Sequence, residues 1–180
     1  MIRWLFARTA FYPSILWNQL LFRIVPGRAY WDVIDDTVVM GAMPLPQHAA
    51  KLCALGVRGV VNMCEEYAGP LAAYGEAGLT QLHLPTIDFT APNYEDVVRG
   101  VAFIREHAER GEKVYVHCKA GRGRSATLVL CWLMEHEKID PEEAQRRLVA
   151  RRRQVVSRLW KRPVVQRFAR AVGLRSQTTT

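Results

Sequence analysis

The sequence predicts an α/β fold with a mostly parallel central sheet flanked by helices. Short apolar runs that suit buried strands alternate along the chain with segments of helical periodicity, an order typical of parallel strands joined by helical crossovers. Several helical segments begin at a capping residue and end at a glycine. The chain has 180 residues, about one domain, and 49% of them are hydrophobic, which is enough for a core.

The first half of the domain is predicted as strand, short helix, strand and strand. These four elements cover residues 37–43, 46–55, 57–63 and 79–84. Gly56 closes the helix, because glycine adopts the left-handed conformation that ends many helices. The run VRGVVNM at 57–63 is predicted to be a buried strand.

The second half alternates strand and helix, with clear helix boundaries. Asn93 is an N-cap candidate and Gly111 a stop signal for the helix between them. Asp140, Pro141 and Glu143 have the spacing of a cap, a first helical position and a capping-box glutamate. The predicted elements are a helix at 94–110, a strand at 113–117, and helices at 124–137, from 141 to about 153, and at 164–172.

The formal net charge of +8 is unevenly distributed along the chain. Residues 1–31 contain four arginines and no acid, residues 144–180 contain eleven basic residues and no acid, and the middle is net acidic. Basic ends around an acidic centre favour two flanks that meet an anionic surface such as membrane lipid, and they do not favour a nucleic-acid partner. A solvated helix face is the alternative for the C-terminal arginines.

Residues 1–30 form a separate segment rich in Trp, Phe, Leu and Arg. Its apolar run is interrupted by Pro13, Asn18, Gln19 and Arg23, so it is too short to span a bilayer. It suits a membrane-interfacial helix or an organelle-targeting segment, and a helix packed on its own domain is the alternative. We expect the catalytic domain at 31–175 and a tail at 176–180.

The loop between the strand at 113–117 and the helix at 124–137 carries the predicted chemistry. Small residues let the backbone N–H groups turn inward as an anion nest, to which the following helix adds the positive end of its dipole. Arg124 can hold two phosphoryl oxygens, and the same field favours a nucleophilic Cys118 thiolate. Ser125 is placed to hydrogen-bond the sulfur. The predicted phosphate-binding residues are His117, Lys119, Ala120, Gly121, Arg122 and Gly123.

This nine-residue loop, HCKAGRGRS at 117–125, resembles the active-site loop of the cysteine-dependent protein tyrosine and dual-specificity phosphatases. The resemblance implies a dual-specificity phosphatase-like fold, a phosphocysteine intermediate, a general acid on another loop, and neither metal ion nor other cofactor. The scattered histidines and cysteines likewise give no metal-ligand spacing. No CxxC pair or secreted-type framework links Cys53, Cys64, Cys118 and Cys131, which favours a reducing compartment.

A leaving alkoxide needs a proton, so a carboxylic acid must face the loop. Asp88 follows a predicted strand, and strand ends of such a sheet open toward the ligand crevice. Glu95 and Asp96 are alternatives, but they suit the first turn of a helix. By resemblance to the acid loop of the family, we expect Asp88 to be the general acid.

A closer resemblance covers nearly the whole chain. The matching stretches are FYP at 11–13, VPGRA at 25–29, ID at 34–35, GAMPL at 41–45, EEY at 65–67 and RP at 162–163. They resemble the mitochondrial phosphatases that dephosphorylate phosphatidylglycerophosphate before cardiolipin synthesis. The resemblance implies a phosphatidylglycerophosphate phosphatase on the matrix side of the mitochondrial inner membrane. A bacterial relative on the cytoplasmic membrane would look similar.

The family resemblance also implies that Glu65, Glu66 and Tyr67 border the active site and contact the glycerol headgroup. Ala68 stands where the family has a further glutamate. We expect an anionic phospholipid substrate, a membrane surface as partner, and a monomer. The alternatives are a dual-specificity protein phosphatase, a phosphoinositide phosphatase, an inactive phosphate-binding module, and a sulfurtransferase of the rhodanese kind.

Overall fold

The computed structural model describes residues 29–174. The predicted N-terminal segment lies outside the described residues except for its last two, and the predicted tail at 176–180 lies outside them entirely. Five strands form one sheet in the order β1-β2-β5-β3-β4, in which only β1 and β2 pair antiparallel. The mostly parallel sheet is therefore confirmed. The strands are β1 (Trp31–Val33), β2 (Val38–Gly41), β3 (Val57–Cys64), β4 (Thr80–Thr86) and β5 (Lys113–His117).

Six α-helices flank the sheet among the described residues. They are α1 (Ala49–Ala54), α2 (Leu71–Glu76), α3 (Tyr94–Glu109), α4 (Arg124–Glu137), α5 (Pro141–Arg151) and α6 (Pro163–Ala171). The predicted caps of α3 and α5 are present, because Asn93 accepts from the Asp96 N–H and Asp140 accepts from the next two acidic residues. No helix within 29–174 is long and apolar enough to cross a bilayer.

Strand alternation divides the core between the two faces of the sheet. Val114 and Val116 of β5 face the larger core with α3 to α6, whereas Tyr115 between them faces the smaller core with α1 and α2. Strand β2 alternates in the same way, and β3 does so at Val60 and Val61, between two register irregularities. Successive side chains of a strand point to opposite faces, so a buried parallel sheet needs this unbroken apolar pattern.

Several elements differ from the sequence prediction. The predicted helix at 46–55 begins as a 3₁₀ turn at Pro46–His48 and is α-helical only in α1, and β2 is shorter than its predicted range of 37–43. Strand β1, helix α2 and a 3₁₀ turn at Leu159–Lys161 were not predicted, because each is short and carries no capping residue or clear period. Strand β4 runs two residues beyond its predicted end, through Pro85. It lies at the edge of the sheet, where a proline without an N–H leaves no ladder bond unmade.

The parallel strands β3, β4 and β5 bring three loops to one edge of the sheet. The loops after Cys64, Thr86 and His117 leave the carboxyl ends of these neighbouring strands. Ligands of open α/β sheets bind at such an edge. The fold therefore places the Glu-Glu-Tyr segment, the predicted acid loop and the cysteine loop side by side.

Candidate active site

The cysteine loop joins β5 to α4 and surrounds the sulfur of Cys118. Cys118 is only 4% exposed, and the backbone N–H groups of Arg122 and Ser125 donate to it. Helix α4 begins directly after the loop, with Gly123 as an N-cap that supplies no side-chain bond. No side-chain cap therefore competes for the first N–H groups of the helix, and the helix dipole adds positive potential at the loop.

The surroundings of Cys118 favour its thiolate. Burial alone would raise the pKa of this thiol, but the charge of Arg124 and hydrogen bonds from Ser125 and Arg122 outweigh burial. They lower the pKa to about 7, from an ordinary value of 9.0. The Ser125 hydroxyl lies 3.3 Å from the sulfur. The lowered pKa favours the thiolate form of Cys118, which is the form that attacks as a nucleophile.

Arg124 is buried and held by groups at the carboxyl ends of two strands, β3 and β4. Its Nη1 donates to the Thr86 carbonyl at 2.7 Å and to Glu66 Oε2 at 2.9 Å, and Nη2 lies 2.9 Å from Asp88 Oδ1. The nearby Cys118 thiolate and these carboxylates raise the pKa of Arg124 despite its burial. The guanidinium is therefore permanently charged and fixed in orientation, as binding of two phosphoryl oxygens requires.

Asp88 lies over the cysteine loop, between two cations. Its carboxylate pairs with Arg124 through one oxygen and with the Lys119 ammonium through the other. The Asp88 N–H donates to Glu66 Oε1 at 3.2 Å, which ties the acid loop to the loop after β3. Phe89 follows with a φ of 63°, a left-handed conformation rare for a bulky residue. Such a conformation in a site loop is held by its surroundings.

Gly121 and Arg152 fix the far side of the cysteine loop. Gly121 has a φ of 62°, and a Cβ there would collide with the Gly41 carbonyl. The guanidinium of Arg152 is completely buried; it donates to the Gly121 carbonyl at 2.8 Å and to the Ala120 carbonyl at 3.2 Å, and pairs with Asp32 at 2.6 Å. These donors bind the outward carbonyls, so the N–H groups can face the ligand.

A cavity of about 450 Å³ opens above Cys118. This volume is typical of small-molecule sites and exceeds what one phosphate needs. The residues that line it are Asp88, Phe89, Thr90, Cys118, Lys119, Ala120, Arg122, Gly123, Arg124, Val156 and Arg162.

Comparison with known proteins agrees with this geometry. The family profile described as dual specificity phosphatase, catalytic domain, matches residues 40–164. The chain belongs to this phosphatase family.

Among curated relatives, a phosphatidylglycerophosphate phosphatase of Arabidopsis thaliana, PTPMT2, is 37% identical over 96% of this chain and 77% of its own length. The human phosphatidylglycerophosphatase and protein-tyrosine phosphatase 1 is 39% identical over 94% of this chain and 89% of its own length. Two crystal structures of PTPMT1 superpose with TM-scores of 0.74 and 0.73, at 35% and 32% identity. They cover 80% of this chain and 96% and 97% of theirs, and the second is a complex with PI(5)P.

The structure brings most of the predicted phosphatase residues into one site. Cys118, Arg124, Asp88 and Ser125 are in contact, and Lys119, Ala120, Arg122 and Gly123 line the cavity. Two of the predicted phosphate-binding residues lie behind it. Gly121 packs on Gly41, and His117 is fully buried and stacks on Tyr115. Burial and the charge of Arg124 lower the pKa of His117 to about 3, so its ring is neutral.

The Glu-Glu-Tyr segment borders the site, and its expected contact with the headgroup stays a prediction. Glu66 is nearly buried and binds both Arg124 and the acid loop, so it positions the site. The Tyr67 hydroxyl donates to the Pro44 carbonyl at 3.0 Å. Glu65 is exposed, and none of these three residues is among the cavity-lining residues of the described chain.

Two arginines at the site were not predicted from the sequence. Arg152 and Arg162 belong to the basic C-terminal stretch, which was expected to meet lipid or solvent. The structure instead directs both toward the cysteine loop. Nothing in their local pattern separates them from the exposed Arg151 and Arg153, because the contacts form across 31 to 39 positions of sequence.

Proposed function

We propose that the chain hydrolyses the terminal phosphomonoester of phosphatidylglycerophosphate to give phosphatidylglycerol and inorganic phosphate. The observation that carries the chemistry is the contact of Arg124 with Asp88 above a buried Cys118 of lowered pKa. The named activities of the Arabidopsis and human relatives support this lipid as the substrate.

In the first step, the Cys118 thiolate attacks phosphorus, and the bond from phosphorus to the glycerol oxygen breaks. Arg124 and the loop N–H groups hold the three non-bridging oxygens as charge develops on them. Protonated Asp88 donates its proton to the leaving oxygen, which departs as an alcohol. The products of this step are phosphatidylglycerol and a phosphocysteine.

In the second step, water attacks the phosphocysteine and the bond from sulfur to phosphorus breaks. The Asp88 carboxylate, now deprotonated, accepts a proton from this water. The Ser125 hydroxyl donates to the sulfur, which stabilises the thiolate as it leaves. Inorganic phosphate is released and Cys118 is regenerated.

The rim of the cavity suits a lipid substrate at a membrane surface. Phe89 is 74% exposed on the acid loop, and Ile87 and Val156 beside the opening are each 39% exposed. Exposed apolar side chains near cationic ones favour insertion among anionic headgroups. We place this membrane at the matrix side of the mitochondrial inner membrane, where the product would enter cardiolipin synthesis. The bacterial cytoplasmic membrane is the alternative.

A second candidate function is hydrolysis of phosphoinositides. A structural relative of 32% identity is titled as a complex with PI(5)P. A phosphoinositide also carries a phosphomonoester and a phosphodiester on one headgroup, so the same cavity and charges would serve it.

The deciding experiment measures phosphate release from phosphatidylglycerophosphate, PI(5)P and a phosphotyrosine peptide in mixed micelles. Cys118→Ser is the inactive reference, and Cys53→Ser is the matched control because Cys53 lies on α1, away from the site. We expect the highest kcat/KM on phosphatidylglycerophosphate, with Cys53→Ser unchanged. A preference for the peptide would assign the chain to protein dephosphorylation. No release from any substrate by folded protein would favour a binding module.

Membrane docking has its own tests. Phe89→Ser should lower activity on lipid in vesicles more than on a soluble phosphate ester, since only the former needs the apolar rim. Equal losses on both would contradict the docking role.

If the chain without residues 1–28 binds cardiolipin vesicles as well as the full chain, the N-terminal segment is not the anchor.

A further inference from the structure

The cavity continues beyond the cysteine loop to a wall made by two arginines. Arg162 precedes α6, and its Nη1 donates to Thr127 Oγ1 at 2.6 Å and to the Gly123 carbonyl at 3.4 Å. Arg122 is held through Nε by the Gln154 carbonyl at 2.9 Å. Both residues line the cavity, and both guanidiniums keep further N–H donors beyond these bonds.

The charges of these two arginines are not neutralised nearby. The site carboxylates Asp88 and Glu66 pair with Arg124 and Lys119. Within residues 29–174, no carboxylate forms an ion pair with Arg122 or Arg162. Two uncompensated guanidiniums on the wall of a concave site favour an anion there.

We propose that Arg122 and Arg162 form a second anion subsite, which binds the phosphodiester of a substrate whose phosphomonoester lies in the cysteine loop. This inference rests on the proposed function and deepens it. The volume of about 450 Å³ accommodates a headgroup with two phosphates joined by a short polyol. Val156 lines the same part of the cavity, where the acyl-bearing glycerol would leave.

A purely structural role for Arg162 makes a different prediction. If Arg162 only holds Gly123 and Thr127, its loss would loosen the cysteine loop and slow every substrate equally. A subsite instead affects only substrates with a second phosphate. The comparison must therefore be between two soluble esters, because a lipid would add the effect of the membrane.

The experiment compares kcat/KM for glycerophosphoglycerophosphate, the deacylated headgroup with two phosphates, and glycerol 3-phosphate, which has one. Arg162→Gln and Arg122→Gln should each lose roughly 10- to 100-fold on the first and much less on the second, since a hydrogen bond to a charged group contributes that much. Arg162→Lys should retain part of the preference. Arg153→Gln, an exposed neighbour that does not line the cavity, is the matched control and should change neither substrate.

Equal losses on both esters, or no loss on either, would overturn the subsite. If the wild-type protein does not hydrolyse the two-phosphate ester, the subsite is tested by inhibition, while the lipid assay in mixed micelles decides the proposed function separately. Glycerophosphoglycerophosphate should then inhibit p-nitrophenyl phosphate hydrolysis more strongly than glycerol 3-phosphate, and Arg162→Gln should abolish the difference. The absence of any such difference in the wild-type protein would overturn the subsite as well.

Discussion

Replacing Arg152 with methionine should destabilise the whole domain, although Arg152 does not touch the substrate cavity. Methionine keeps an unbranched apolar stem but removes every donor. The Gly121 and Ala120 carbonyls lose their partners, and Asp32 loses its counter-charge. Replacing a whole buried ion pair with apolar residues is often neutral, but removing one partner is not.

The expected loss of stability follows from the polar groups that Arg152→Met leaves without a partner. Each carbonyl deprived of its donor costs about 1–3 kcal/mol when buried. Asp32 is 26% exposed, so water compensates part of its loss and its contribution is smaller. Together these give about 3–5 kcal/mol, a large share of the 5–15 kcal/mol typical of a domain. The melting temperature should fall by about 10 °C.

Urea unfolding in reducing buffer measures this change, with Arg153→Met as the matched control because Arg153 is exposed. A second readout is the pH dependence of Cys118 alkylation. A loosened loop aims its N–H groups less well at the sulfur, so the pKa of Cys118 should rise above about 7. A loss below about 1 kcal/mol for Arg152→Met, with an unchanged alkylation midpoint, would refute the reasoning.

Three further predictions concern single contacts at the site. Ser125→Ala removes a donor to the sulfur, so the pKa of the Cys118 thiol should rise by roughly one unit. The acid limb of the pH–rate profile should therefore move to higher pH. An unchanged pH midpoint of Cys118 alkylation would contradict this. Gly121→Ala should abolish most activity, because the new Cβ collides with the Gly41 carbonyl. Gly78→Ala, at a similar φ with open space around it, should lower stability only. Similar kcat values for the two variants would show that backbone strain, and not the collision, is responsible. Glu66→Gln should lower kcat on every substrate, p-nitrophenyl phosphate included, because it loosens both the catalytic arginine and the acid loop. Glu65→Gln, at an exposed neighbour outside the cavity lining, is the matched control and should leave p-nitrophenyl phosphate hydrolysis unchanged. An equal effect of both variants on this ester would contradict these assignments.

Local patterns predicted the elements that carry strong local signals. The capping residues Asn93 and Asp140 fixed the starts of α3 and α5, and the apolar run of β5 fixed the strand before the cysteine loop. Strand β1 has three residues and is defined by its pairing with β2, which a local window does not contain. The end of β4 depended on its edge position, which made Pro85 tolerable.

The same distinction explains which site residues could be predicted. The loop from Cys118 to Ser125 is contiguous, so its spacing could be interpreted directly. Glu66 was predicted as a substrate contact from resemblance, yet its partner Arg124 lies 58 positions away. Glu65 and Glu66 lie in the bend after β3, where Glu66 faces inward and Glu65 faces solvent. Only the folded structure shows which of the two glutamates faces inward.

Asp88 and a bound phosphate would compete for the same two cations. Asp88 binds both Arg124 and Lys119, the two cations that a phosphoryl group would also use. Protonation of Asp88 would release both cations to the phosphate and provide the proton that the leaving oxygen needs. A charged Asp88 therefore competes with phosphate, whereas the acid does not.

Asp88→Asn should consequently slow hydrolysis of alkyl phosphates by about 10²–10⁴-fold while inhibition by inorganic phosphate becomes tighter. The amide keeps the size of the side chain but removes the negative charge that opposes the anion. The measurement is the inhibition constant of phosphate against p-nitrophenyl phosphate, whose leaving group needs little protonation. Weaker inhibition in Asp88→Asn would show that Asp88 helps to hold the anion, and the competition argument would fail.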